Sequence, residues 1–370
     1  MTVIRKLAVA AVAAGTCFVA AVPAAVGSTS VSSGFVIVAS PNVGAQAELQ
    51  GVTAVSAGDV WAVGQAAGEN LIEHWTGSAW HKVAAPHPGT ESLLNAVSAG
   101  GGEVWAVGES SLSSEVFRWT GSSWVAVGGL PSGSDSLDVQ SLDAVRVFSA
   151  TNAWVGGEDV GGSHELWRWN GSSWSHITAV DFTGAADDYI TGIAGTANHV
   201  IVTGQADGGD GSFGVIYREA KGLNSWQYLD GTAGDFASLT AISSSSKSNA
   251  WAVGSSANSS FVSSPVAFHW NGSSTHQVTV PSYTTDHSLA GVAAVSPTNV
   301  WAVGSRASAS LGTATLIDHF TGGSSFTDLG GPNVTGVANA LNGISEVPGA
   351  PGNLWAVGSA GSKALILHHS

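Results

Sequence analysis

Beyond residue 30, the hydrophobic positions of the chain form short runs of β-branched and aromatic residues separated by Gly, Ser, Asn and Asp. No window there keeps the period of an amphipathic helix, so the pattern predicts short β-strands joined by turns. One tetrapeptide, Trp-Ala-Val-Gly, recurs, with two variants of it. The copies begin at Trp61, Trp105, Trp154, Ile201, Trp251, Trp301 and Trp355. These starts are 44 to 54 residues apart, which indicates seven repeats.

The first repeat shows the strands that each unit is expected to contain. Strand A covers about 49–55, strand B about 60–64, strand C 71–75 and strand D about 80–84. Turn residues separate them, and the C–D connection is short enough for a tight hairpin. Four short strands with a period of roughly 40–50 residues are typical of a propeller blade. The sequence therefore predicts an all-β fold, a seven-bladed β-propeller with four antiparallel strands per blade.

The two ends of the chain predict how the ring closes. The last repeat ends at 365–370, in the position of strand C, and lacks a fourth strand. Residues 33–41 align with 78–86 of the first repeat, so that Phe35 takes the place of Trp80. We therefore expect the N-terminal strand at 33–41 to complete blade 7 and to leave no open sheet edge between the ends.

Aromatic and basic residues recur at fixed positions of the repeat, which favours structural roles for them. In strand B, Trp61 and Val63 should point to one face of the blade, and Ala62 and Gly64 to the other. The Trp residues of strands C and D are expected to extend this core; they are Trp75, Trp119, Trp169, Trp270, Trp80, Trp124 and Trp174. A basic or imidazole side chain precedes the strand-C aromatic, and we expect it to hydrogen-bond neighbouring backbone. The residues at this position are His74, Arg118, Arg168, His269, His319 and His368.

Composition and the N-terminal segment bear mainly on where the protein is localised. The chain has 370 residues with one Cys, and its formal net charge of -15 argues against nucleic-acid partners. Arg5 and Lys6, an apolar run and small residues predict a secretory signal peptide at 1–27, followed by a single propeller domain at 28–370. A retained membrane anchor is the alternative. Cleavage would remove Cys17 and leave a secreted, extracellular chain without disulfides or membrane attachment.

The connections between strands predict which face of the propeller binds a ligand. The A–B and C–D turns are short and repetitive, whereas the B–C and D–A connections are long and differ between blades. Because variable loops on a rigid scaffold commonly carry binding residues, we expect the loop-rich face to be functional. The candidate ligand-binding residues on this rim are Asp135, Asp138, Asp181, Asp187, Asp188, Tyr189, Tyr228, Asp230, Asp235, Tyr283, Asp286 and His287.

Signals for metals and catalysis are weak. Asp207-Gly-Gly-Asp210 resembles part of a calcium loop, although it is short and lacks a later Glu. Asp207 and Asp210 are therefore the metal-ligand candidates, and no other cofactor is expected. No serine-hydrolase, zinc-protease or phosphate-loop motif is present, and no catalytic residue is assigned. A glycoside hydrolase that uses two rim carboxylates at the required separation remains an alternative to a non-catalytic function.

The repeat resembles that of a known group of proteins. Ala-Val-Ser-x-x-Asn-Val-Trp-Ala-Val-Gly, followed by His-Trp-Asn-Gly-Ser-Ser-Trp, resembles the repeats of secreted actinobacterial β-propellers. It is also similar to photosystem II assembly-factor and Asp-box propellers, although Asn170-Gly-Ser-Ser-Trp174 lacks the Asp of that box. The resemblance implies the fold and transfers no catalytic residue, while secreted propellers of this kind are often lectin-like or adhesive.

These observations lead to one functional hypothesis with two alternatives. The favoured function is a secreted, non-enzymatic recognition module that binds a glycan or an extracellular protein through the loop-rich face. The first alternative is a protein-interaction scaffold subunit of a secreted assembly such as a toxin particle. The second is a polysaccharide hydrolase or lyase that uses rim carboxylates.

Overall fold

The computed structural model describes residues 33–41, 44, 46–86, 91–111, 113–130, 139–178, 180, 187–208, 211–220, 225–231 and 236–370. The predicted signal peptide and Cys17 lie outside these residues and stay predictions. The described residues form strands, turns and bends. None of them belongs to a helix long and apolar enough to cross a membrane.

In the described part of the chain, twenty-eight strands form seven blades of four, numbered in chain order. Strand β1, Val36–Val38, precedes blade 1. Blade 1 contains Ala47–Ser56 (β2), Asp59–Ala66 (β3), Glu69–Trp75 (β4) and Trp80–Val83 (β5). Blade 2 contains Ser92–Gly100 (β6), Glu103–Ser110 (β7), Ser113–Trp119 (β8) and Trp124–Ala126 (β9). Blade 3 contains Val139–Ser149 (β10), Asn152–Asp159 (β11), His164–Trp169 (β12) and Trp174–His176 (β13).

The remaining blades follow the same order. Blade 4 contains Asp187–Thr196 (β14), His199–Gly208 (β15), Gly211–Glu219 (β16) and Trp226–Gly231 (β17). Blade 5 contains Phe236–Ser246 (β18), Asn249–Ala257 (β19), Ser263–Trp270 (β20) and Thr275–Val278 (β21). Blade 6 contains His287–Ser296 (β22), Asn299–Ser308 (β23), Gly312–Phe320 (β24) and Thr327–Asp328 (β25). Blade 7 contains Asn339–Glu346 (β26), Leu354–Ala360 (β27) and Lys363–His369 (β28), and β1 is its fourth strand.

The ring closes as the sequence predicts. β1 runs antiparallel to β28, with Val36 opposite His368, Ile37 opposite Leu367 and Val38 opposite Ile366. The strand is shorter than the predicted 33–41, because only three of its residues pair with β28. The N-terminal segment therefore completes the last blade and closes the β-propeller.

The interfaces between blades are filled by aromatic residues, which confirms core roles for the repeated Trp. The ring centroid of Trp61 in blade 1 lies 4.8 Å from that of Trp119 and 5.3 Å from that of Trp124, both in blade 2. The other strand-B Trp pack in the same way: Trp105 on Trp169 and Trp174, Trp154 on Trp226, Trp251 on Phe320 and Phe326, Trp301 on Phe35, and Trp355 on Trp75 and Trp80. Offset and edge-to-face pairs of this kind add to the free energy gained by burial.

The histidines before the strand-C aromatics are structural, although their partner differs from the predicted one. His319 stacks on Trp301 with ring centroids 3.8 Å apart, and its Nε2 lies 2.9 Å from Oδ1 of Asn299. His269 and His368 repeat this contact in blades 5 and 7. The hydrogen-bond partner of each imidazole is thus an Asn side chain at the start of strand B and not a backbone group. The antiparallel register of strands B and C brings that side chain beside the imidazole.

The structure explains why Gly recurs at the last position of the Trp-Ala-Val-Gly repeat, which the sequence pattern did not reveal. Strand A contains a β-bulge, for example between Leu289 and Gly291 in blade 6. A β-carbon on Gly304 would overlap the carbonyl oxygen of Ser288 beside this bulge. The equivalent overlap occurs at Gly64, Gly108, Gly157, Gly254 and Gly358. The Gly is therefore required by the strand-A bulge of its own blade rather than by the next blade.

Candidate functional site

The B–C loops and the starts of strand A share one face of the propeller, and backbone hydrogen bonds join neighbouring blades there. The N–H of Ser92 donates to the carbonyl of Gly68 at 3.0 Å, which links blade 2 to blade 1. Asp188 donates in the same way to Gly162 at 2.8 Å, and Ala47 to Ser362 at 3.0 Å. These bonds hold the loop-rich face in a defined arrangement.

Asp188, a predicted ligand residue, forms an ion pair within the scaffold. Its Oδ2 lies 2.8 Å from Nδ1 of His164, and its Oδ1 accepts the backbone N–H of His164 at 2.8 Å. Nε2 of the same imidazole is 2.8 Å from the Val180 carbonyl, so both ring nitrogens face acceptors. Burial lowers the pKa of His164, but the hydrogen bond and charge of Asp188, together with the Val180 carbonyl and the Glu165 charge, outweigh it and raise the pKa above its ordinary value. The pair links blade 4 to the start of strand β12 in blade 3.

Tyr189 and Asp207 lie on adjacent strands of blade 4. The Tyr189 hydroxyl donates to Oε1 of Gln205 at 2.9 Å, and Nε2 of Gln205 donates to Oδ1 of Asp207 at 3.1 Å. Asp210, the second predicted calcium ligand, lies outside the described residues. Within the described part of the chain, no group of three or more His, Cys, Asp or Glu side chains is arranged to hold a metal ion.

Tyr228 and Asp230 lie together on the outer strand of blade 4. The side chain of Tyr228 is 52% exposed, and its ring packs edge-on against Tyr217 with centroids 5.3 Å apart. Burial of its hydroxyl, together with the Asp230 charge, raises the pKa of Tyr228. Oδ1 of Asp230 accepts the N–H of Gly231 at 2.9 Å. Tyr228 is therefore available at the surface, while Asp230 hydrogen-bonds the backbone of its own strand β17.

The predicted residues of blade 6 form a half-buried polar cluster. The rings of Tyr283 and His287 stack with centroids 3.5 Å apart, and the Tyr283 hydroxyl lies 3.5 Å from Oδ1 of Asp318. Burial and the charge of Asp328 raise the pKa of Asp318 to about 7. NH1 of Arg306 is 3.1 Å from Oδ2 of Asp328. These contacts position the D–A connection over blade 6.

Asp286 is exposed and hydrogen-bonds residues beside the B–C loops of blades 5 and 6. Its Oδ1 accepts the N–H of Ser263 at 2.9 Å, and its carbonyl accepts the N–H of Ala307 at 2.7 Å. Of the other predicted rim residues, Asp135, Asp138, Asp181 and Asp235 lie outside the described residues. Asp187 is described by its backbone alone, which pairs with that of Asp207. The described candidates thus lie in separate groups on blades 4 and 6, and in the second group Tyr283 stacks on His287.

Phe261 is a surface residue that the sequence analysis did not single out. Its side chain is 70% exposed at the tip of the B–C loop of blade 5, and its φ is +60°. Oδ1 of Asn258 accepts the N–H groups of Ser260 at 2.9 Å and Val262 at 3.1 Å, which fixes the loop. Bulky residues rarely adopt a positive φ, and such strain is concentrated at functional positions. The Asn258-x-Ser260 loop was visible in the sequence, but the exposure of Phe261 was not.

Comparison with known proteins gives the fold. No protein-family model and no curated sequence matches the chain. Among solved structures, YCF48 bound to D1 peptide is similar with a TM-score of 0.57 and 12% identity, covering 91% of this chain and 96% of that one. YCF48 from Cyanidioschyzon merolae gives a TM-score of 0.58 at 16% identity, covering 91% and 98%. The SapL1 lectin in complex with alpha methyl fucoside gives 0.49 at 11% identity, covering 74% and 90%. The two YCF48 likenesses confirm the predicted similarity to photosystem II assembly-factor propellers at the level of fold, and the resemblance to actinobacterial propellers stays a prediction.

Proposed function

We propose that this chain is a secreted, non-enzymatic recognition module whose loop-rich face binds an extracellular protein. The observation that carries the proposal is Phe261, an aromatic side chain that a hydrogen-bonded loop presents to solvent. Exposed aromatic residues held in one conformation make effective anchors because little conformational entropy is lost on binding. Secretion is proposed from the leader pattern at 1–27.

A protein ligand is favoured over a small one by the distribution of side chains on this face. Asp188, Asp230 and Asp286 are engaged with neighbouring groups of the scaffold. The exposed Tyr228 and Phe261 belong to neighbouring blades 4 and 5, which suits a broad contact rather than a closed pocket. Binding of a peptide by a structure of the same fold, YCF48, agrees with this proposal.

The proposal predicts that Phe261→Ala weakens binding by about thirtyfold, since a central aromatic anchor contributes about 2 kcal/mol or more. Peptides selected from a random displayed library on the wild-type chain would be measured against the wild type and the variant by calorimetry. Val125→Ala, which removes an exposed side chain on the outer strand of blade 2, is the matched control and should leave affinity unchanged. Equal binding of all selected peptides by Phe261→Ala would contradict the proposal.

A further inference from the structure

A depression of about 660 Å³ lies between blades 1 and 2 on the short-turn face, opposite the loop-rich face. Its volume is in the range of small-molecule sites. The residues that line it include Asp59, Glu103, Arg118 and Trp119, together with the A–B turn of blade 2 at 100–102. This turn consists of three glycines: a β-carbon on Gly100 or Gly101 would overlap the backbone of blade 3, whereas one on Gly102 would meet nothing within 4 Å.

The glycines also change the conformation of the turn. Gly101 and Gly102 have φ values of 59° and 85°, as required for a type I′ turn. In blades 1 and 3 the corresponding residues are Ala57-Gly58 and Ala150-Thr151, and none of these has a positive φ. The peptide groups of the turn in blade 2 are therefore oriented differently from those in blades 1 and 3.

Beside this turn, the indole N–H of Trp119 donates to no acceptor among the described residues. In blades 1, 3 and 5 the equivalent Trp donates its N–H to a carbonyl of the A–B turn; the bonds run from Trp75 to Ala57 at 3.1 Å, from Trp169 to Ala150 at 3.2 Å and from Trp270 to Lys247 at 3.4 Å. Within the described part of the chain, Trp119 makes no such bond, although its ring packs on Trp61 and Trp124 like the others. Because Trp119 lines the depression, an acceptor bound there could take up this N–H, with a gain typical of one hydrogen bond.

Charged groups around the depression supply both kinds of hydrogen-bonding atom. Nε of Arg118 lies 3.9 Å from Oε2 of Glu103, and their side chains are 39% and 20% exposed. This pair is looser than the equivalent contacts of other blades, for example 2.9 Å between His319 and Asn299. Oδ1 of Asp59 contacts His74 at 2.8 Å, and its side chain is 41% exposed. Two acceptor carboxylates thus stand beside the donors of Arg118 and Trp119.

We infer that this depression is a binding site for a neutral saccharide. Each sugar hydroxyl both donates and accepts a hydrogen bond, so adjacent hydroxyls match an indole N–H and a guanidinium on one side and carboxylates on the other. The indole N–H of Trp119 and the guanidinium of Arg118 donate to sugar oxygens, and Glu103 and Asp59 accept from hydroxyls. The site lies on the opposite face from Phe261 and does not depend on the proposed protein ligand.

Binding of neutral oligosaccharides is first measured on an array. The saccharide that binds most tightly is then titrated into the ¹⁵N-labelled chain and followed by NMR. The indole cross-peak that is absent from Trp119→Phe should shift on titration, while the one absent from Trp169→Phe should not. Trp119→Phe keeps an aromatic ring against Trp61 and should weaken saccharide binding about fivefold, the effect of one hydrogen bond. Glu103→Gln should weaken it as well.

Trp169→Phe is the matched control, because Trp169 has the same position in blade 3 but donates to its own turn. It should bind the saccharide like the wild type, and Phe261→Ala should as well. The inference would be overturned if the array gave no signal or if Trp119→Phe bound the saccharide as tightly as the wild type. It would also be overturned if the Trp119 indole cross-peak shifted with a cationic peptide and not with saccharides. Thermal unfolding of both Trp variants shows whether they remain folded.

Discussion

Glu73, Glu165 and Asp318 are buried carboxyl groups whose pKa values are raised to about 7 mainly by burial. Glu73 and Asp318 occupy the same position of strand C, opposite Ala62 in blade 1 and Ala302 in blade 6. Four other blades have an aromatic residue there; they are Phe117, Trp167, Tyr217 and Phe268. The carboxyl groups of Glu73 and Asp318 each contact a hydroxyl of the preceding D–A connection, that of Ser40 and that of Tyr283. In blade 1 the Ser40 hydroxyl is 2.9 and 3.1 Å from the two Glu73 oxygens.

Glu73→Gln should remove a pH dependence of stability. Below pH 4.5 the carboxyl is protonated in the folded and unfolded chains alike. Between pH 4.5 and about 7 only the unfolded chain releases the proton, so the free energy of unfolding falls as the pH rises. Above that range a cost on the order of 3 kcal/mol persists. Gln avoids this cost and still accepts from Ser40.

Urea unfolding at pH ~5 and ~8 checks this prediction. The wild type should lose more stability than Glu73→Gln between the two values. Glu69→Gln, an exposed change on the same strand, should behave like the wild type. An unchanged pH dependence in Glu73→Gln would show that the carboxyl is ionised in the folded chain throughout this range.

At the scale of the blade, the bulge in strand A and the Gly in strand B form one unit. The bulge recurs beside the repeated Gly, for instance between Leu49 and Gly51 opposite Gly64 and Val63. It inserts an extra residue and brings a carbonyl close to the Cα of the Gly. Backbone geometry therefore requires the Gly of the repeated tetrapeptide, and packing between blades requires its Trp.

Gly304→Ala should destabilise the chain by about 3 kcal/mol, because the new methyl group overlaps the carbonyl of Ser288 and the backbone must shift. Gly323→Ala in the same blade is the control, since nothing lies within 4 Å of its β-carbon position. Chemical denaturation of the two variants measures the difference. A similar midpoint for both would mean that the bulge relaxes without cost.

At the scale of the whole molecule, closure depends on a short strand. β1 contributes three paired residues, and Phe35 just before it is 6% exposed and packs against Trp301 of blade 6 with ring centroids 5.7 Å apart. Phe35 therefore takes the part of the strand-D aromatic in the last interface between blades. The closing segment continues through Ser40 to the buried Glu73 of blade 1.

Phe35→Ala should destabilise the propeller by about 3 kcal/mol, as expected for loss of a buried aromatic ring. Ile37→Ala, at a β1 side chain that is 45% exposed, should cost less than about 1 kcal/mol. Hydrogen exchange locates the effect, because Phe35→Ala should speed exchange of the β28 amides before those of blades 3 and 4. Uniform exchange across all blades would indicate that the ring opens elsewhere.

The candidate site was less predictable from sequence than the fold, for a physical reason. Asp188 was expected at a binding rim, but its partner His164 is 24 residues away and the two meet only because blades 3 and 4 pack together. Phe261 was missed since its exposure depends on a loop conformation with positive φ. Such properties depend on tertiary contacts that no local pattern records.

The sequence by itself determined the seven blades, the closure by the N-terminal strand and the core positions of the repeated Trp, because periodic apolar residues and turn signals act locally and recur. Only the tertiary structure decided which polar groups remain unpaired. Among the described residues, the indole N–H of Trp119 has no acceptor beside a glycine turn of positive φ, whereas Trp169 at the same position of blade 3 donates to Ala150. Identical repeat positions thus acquire different chemistry when the backbone beside them differs.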